Sequence, residues 1–130
     1  MDLTTLSGLV FAIAAAGTVA FQLALALGAP LGAYAMGGKF PGRFPTPLRV
    51  AALVQAVFLG VLAVIVLSRA GLVLPSISEA LPWLIWLAVG FSAVSLVLNV
   101  ITPSAGERRI WVPVAVVLLL SSLVVALSGV

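Results

Sequence analysis

Cysteine and histidine do not occur in this chain, and aspartate and glutamate together number three. Without cysteine there is no disulfide, thiolate nucleophile or cysteine-held metal. Without histidine, the usual general base and the usual zinc or haem ligand are missing. The acids are Asp2, Glu79 and Glu107, too scattered to form a metal-binding cluster, so neither a metal nor a cofactor is expected. Serine is plentiful, but no G-x-S-x-G elbow and no base to activate a hydroxyl accompany it. Enzymatic activity is therefore not expected.

Charge of either sign is scarce. Only 7% of the 130 residues are charged and 64% are hydrophobic, with a mean hydropathy of +1.39. Soluble domains carry about 25% charged residues, so this is a membrane composition. A span needs about 20 predominantly apolar residues to cross the hydrocarbon. Four stretches qualify: Leu3 to Leu27, Leu48 to Leu67, Leu81 to Ile101 and Ala105 to Ser128. The first is read as a true span rather than a cleaved signal, because Asp2 stands where a basic n-region belongs and the run is long. The expectation is all-α: one transmembrane domain over residues 1–130, folded as an integral membrane antiparallel four-helix bundle.

Lys and Arg set the threading. With both termini extracytoplasmic, the cytoplasmic side carries Lys39, Arg43, Arg49, Arg108 and Arg109 and leaves Arg69 on the other. Glu79 and Glu107 then fall at opposite faces, which rules out paired-carboxylate chemistry. The net charge of +3 is gathered at one membrane face, where it suits anionic lipid headgroups rather than nucleic acid. Lys39, Arg43, Arg49, Glu107 and Arg108 are the candidate headgroup or anion contacts.

Small residues recur at every fourth position of the first span: Gly8, Ala12, Ala16, Ala20, Ala24 and Gly28. Such ladders let helices approach closely in lipid, so this one is expected to be a contact seam. Thr18 and Gln22 then lie on the opposite side, where Gln22 either snorkels or is covered by a second subunit. A homo-oligomer or a larger membrane partner is expected on that ground. Thr46 is placed to cap the second span, with Pro47 as its first helical residue. Ser104 and Glu107 have capping-box spacing before the fourth span, and Ser76 and Glu79 have it before the third. Pro113 should kink the fourth. The tryptophans Trp83, Trp86 and Trp111 read as interfacial anchors.

The segment Gly28 to Pro47 holds five of twelve glycines and four of eight prolines. It reads as a plain connector, as a folded cap with Tyr34, Met36 and Phe40 packed into the bundle mouth, or as an anion cradle around Lys39 and Arg43. Phosphate-loop signatures are missing, which weakens the last. Beneath it, the threading collects Gln22, Gln55, Ser95 and Asn99 toward one membrane face. Either these pair across helices, at about 0.6 kcal/mol per bond, or they line a small ligand pocket closed by the loop and Tyr34.

Two blocks, LGAPLGAYAMGGKFPGRFPTPLR (Leu27 to Arg49) and NVITPSAGERRIWVPV (Asn99 to Val114), cover about a third of the chain. Together they resemble an uncharacterised family of small four-helix bacterial integral membrane proteins, marked by a glycine-proline first loop and an N-x-x-T-P-S-x-x-E-R block. The resemblance implies the architecture and a bacterial inner membrane, and carries no site. The functional expectation is a protein that binds, or helps to transport, a small apolar or amphiphilic molecule. The alternatives are an accessory subunit of a larger membrane complex and, behind it, an enzyme acting on a lipid-soluble substrate.

Overall fold

The computed structural model describes residues 1–128, and every regular element among them is helical. Helix α1 spans Leu3–Ala26, α2 Thr46–Arg69, α3 Pro75–Ala80, α4 Ile85–Ile101 and α5 Ala105–Ser128. A 3₁₀ turn, Pro82–Leu84, leads into α4. Four of these are long and apolar enough to cross a membrane: α1, α2, α5 and the run Pro82–Ile101 that contains α4.

Asp2 caps α1 by accepting the Thr5 amide at 2.7 Å, and that bond holds its carboxyl below the ordinary carboxylate value. The start of α2 lies one residue earlier than expected. Pro45 takes the capping position with extended backbone, and its carbonyl accepts the amides of Leu48 and Arg49, so Thr46 is helical and its side chain caps nothing. Ser104 does cap α5, accepting the Glu107 amide at 3.1 Å. Ser76 and Glu79 form no capping box, since Leu74 precedes α3 and Ser76 lies inside it. Helix α5 continues through Pro113.

The long helices pack as a bundle in which α1 lies against α2 and α5, α4 lies against α5, and α2 meets α4 over a smaller interface. The main core joins Phe11 and Ala15 to Leu62, Val66, Ile85 and Leu118. A second, smaller core under the glycine-proline loop consists of Leu25, Phe44 and Ala52.

The small-residue ladder of α1 is not its contact seam within the chain. Gly8 and Gly28 are buried, but Ala16 and Ala20 are exposed. A spacing of four drifts by about 40° per step on a helix of 3.6 residues per turn, so the ladder winds from the inside to the outside. The inward stripe instead runs Phe11, Ala15, Thr18, Gln22, Leu25, at alternating spacings of four and three. Gln22 therefore turns toward the cavity between the helices.

At the opposite end, Ser68 is 2% exposed and ties the α2–α3 turn. Its hydroxyl donates to the Leu74 carbonyl at 2.8 Å and accepts the Ser78 amide at 3.0 Å. Leu74 itself has left-handed backbone (φ 39°), which the hydroxyl helps to hold. Ser68→Ala is expected to cost about 1 kcal/mol, because it removes two part-buried bonds to a backbone amide and carbonyl. Thermal unfolding in detergent measures this, and an unchanged midpoint would remove the tie.

Candidate functional site

The glycine-proline segment is folded. Its backbone forms two 3₁₀ turns, Gly32–Tyr34 and Met36–Gly38, and the Gly32 amide donates to the Gly42 carbonyl at 2.9 Å. Met36, Gly37 and Gly38 are consecutive left-handed residues, at φ 53°, 70° and 74°. That reversal is why two glycines stand here, and it aims the Gly37 amide at the bundle.

Three bonds latch the segment to α5 and the turn before it. The Gly37 amide donates to the Glu107 carboxylate at 3.0 Å, the Ser104 hydroxyl to the Ala33 carbonyl at 3.0 Å, and the Trp111 indole to the Tyr34 carbonyl at 3.0 Å. Glu107 thus completes only half of a capping box: its amide is capped, while its carboxylate reaches the loop. Two arginines tie the other side, Arg43 to the Gly28 carbonyl at 2.9 Å and Arg49 to the Ala26 carbonyl at 2.8 Å. These carbonyls end α1, where cationic side chains are favoured.

Beneath the loop lies a half-open cavity of about 330 Å³. Gln22, Gln55, Ser95, Asn99 and Tyr34 all line it. The polar groups do not pair across helices. Asn99 donates to the Ser95 carbonyl at 2.7 Å, within its own helix, while the side chains of Gln22 and Gln55 bond to no described residue. No buried side-chain polar atom lacks a partner among the described residues, so these amides face open volume. Thr18 on α1 also lines the cavity, with its hydroxyl satisfied by the Ala14 carbonyl at 3.0 Å.

The walls are apolar and aromatic. Phe21 and Trp111 pack with their rings tilted by 56° and centres 4.6 Å apart, and Phe91 lies edge-on to Phe58 at 5.2 Å. The Phe58–Phe91 pair joins α2 to α4, and the exposed Ala51 on α2 and the half-buried Ser95 and Asn99 on α4 line the cavity from these two helices.

Of the candidate headgroup contacts, Lys39, Arg43 and Arg108 are exposed and Arg49 is half-buried. Arg108 is engaged with the Thr102 carbonyl. Glu107 is different: it is 8% exposed, lines the cavity and is turned away from the surface.

Trp83, in the 3₁₀ turn, and Trp86, in the first turn of α4, are exposed, whereas Trp111 lines the cavity. Glu107, Trp111, Ala115 and Leu118 share one face of α5 at helical spacing, and that pattern could have placed Trp111 inward. Phe44, the buried aromatic of the loop, carries no signal that separates it from Phe40 in the sequence.

No protein family, curated protein or solved structure compared with the chain matches it.

Proposed function

We propose that the chain is a multi-pass membrane protein, an antiparallel four-helix bundle whose cavity binds a small amphiphilic molecule or helps to move one across or along the bilayer. The observation that carries this reading is the pairing of two amides without protein partners, Gln22 and Gln55, with aromatic walls in one 330 Å³ space. Ligand sites combine mostly apolar walls with a few placed polar groups in this way. The smaller interface between α2 and α4 supports loading from the bilayer, since the exposed Ala51 lines the cavity from one of these two apolar helices. The basic residues around the loop support a cytoplasmic position for it, with both termini outside. A bacterial inner membrane rests on the resemblance of the two blocks quoted above.

Native mass spectrometry of the protein released from mild detergent tests the binding. A stoichiometric extra mass is expected on the wild type and not on Ala51→Trp, which sets a bulky ring at the cavity wall from an exposed position. Bare protein in both, or the same extra mass in both, would remove the cavity from the reading.

One observation favours a second reading, a subunit that packs on itself or on a larger membrane partner. Ala16, Gly17 and Ala20 form an exposed small-residue surface on α1, and an added Cβ at Gly17 would meet nothing within 4 Å. The same spectra report the subunit number.

A further inference from the structure

The chemistry of the cavity narrows its ligand, on the reading that the cavity is a binding site. Glu107 is the one formally charged side chain among the lining residues, and no lysine or arginine lines the space. The carboxylate receives the Gly37 amide on Oε2 and the favourable end of the α5 dipole, but no cationic side chain. Apart from that amide the carboxylate has no partner among the described residues, so a cation entering the cavity would meet an opposite charge that no side chain already neutralises. The rings of Trp111, Phe21, Tyr34 and Phe91 line the same cavity, and aromatic faces attract cations. The Tyr34 ring is fixed there by Gly106, where an added Cβ would lie 2.9 Å from Cε1.

We infer that the cavity takes an organic cation, a substituted ammonium group carried on an apolar body, with Glu107 as its countercharge and the aromatic rings as its walls. The cavity has room for on the order of ten non-hydrogen atoms, taking about 30 Å³ for each as for a liquid water. Gln22 and Gln55 serve the body's polar substituents or the water that accompanies the cation. The cationic loop residues do not oppose this. Arg43 and Arg49 bond to the end of α1, and neither lines the cavity.

The test is calorimetric titration of the full-length protein in mild detergent with three probes of similar size: benzyltrimethylammonium, its uncharged carbon isostere neopentylbenzene, and the anion phenylmethanesulfonate. The expected order is cation, then isostere, then anion, with at least tenfold between the first two. In Glu107→Gln the cation should weaken at least tenfold and the isostere should not. Glutamine keeps an acceptor for the Gly37 amide, so the latch survives the change.

Equal binding of cation and isostere by the wild type, or equal cation binding by Glu107→Gln, would overturn the cation assignment and leave the cavity reading standing. Failure of all three probes to bind would overturn both. The wild-type comparison decides the matter even if the variant does not fold.

Discussion

Replacing Gly32 by alanine should release the loop from its seat over the cavity. An added Cβ at Gly32 would sit 1.8 Å from the Phe40 carbonyl oxygen and 2.8 Å from that of Gly42. Both neighbours are backbone, so no side chain can swing aside to make room. The Gly32 amide also donates to Gly42, and that bond closes the loop on itself. The clash therefore separates the two strands of the loop, and the latches at Gly37, Ala33 and Tyr34 lose their common support. Overpacking of this kind costs about 3 kcal/mol or more where the surroundings cannot yield. Gly42→Ala is the control. Gly42 also has positive φ, at 82°, but an added Cβ there meets nothing within 4 Å, so its cost should stay near 1 kcal/mol. Limited trypsin digestion after Lys39 and Arg43 reads the difference. Cleavage at least tenfold faster in Gly32→Ala than in Gly42→Ala is expected, and equal rates would show that the loop tolerates the clash.

The loop illustrates where sequence reasoning stops. Four apolar helices were legible from length and composition, and the start of α5 followed from its serine cap. Those signals are local. The polar set Gln22, Gln55, Ser95 and Asn99 was legible too, because in a chain with so few polar residues each one inside a span must face something other than lipid. The alanine ladder misled because composition was read as geometry. Alanine is common in α1, and a fixed spacing of four cannot stay on one side of a helix over five steps. The stripe through Phe11, Ala15, Thr18, Gln22 and Leu25 mixes residue types and so leaves no compositional trace. Glu107 was assigned to its own helix end, which is where its spacing from Ser104 sends it. Its bond to Gly37, seventy residues earlier, exists only after the loop folds over α5.

The same limit separates Phe44 from Phe40, and it yields the other large effect. Phe44→Ala should weaken the fold by about 3 kcal/mol, the lower end for deleting a fully packed phenylalanine. Phe44 is 6% exposed and fills the space between Leu25 on α1 and Ala52 on α2. It is the one large loop side chain in that small core, and it also lines the cavity. Phe40 is 40% exposed and touches Phe44 edge-on, with ring centres 6.4 Å apart. Phe40→Ala removes an edge-to-face contact of about 1 kcal/mol and leaves the core filled. Thermal unfolding of both variants in detergent gives the stability difference, and native mass spectrometry gives the ligand. If the loop is the roof of a binding site, Phe44→Ala loses bound mass before it loses its fold, whereas Phe40→Ala keeps both. A Phe44 variant as stable as Phe40→Ala would mean that the loop is a connector resting on the bundle, held by its arginines and not by its buried ring.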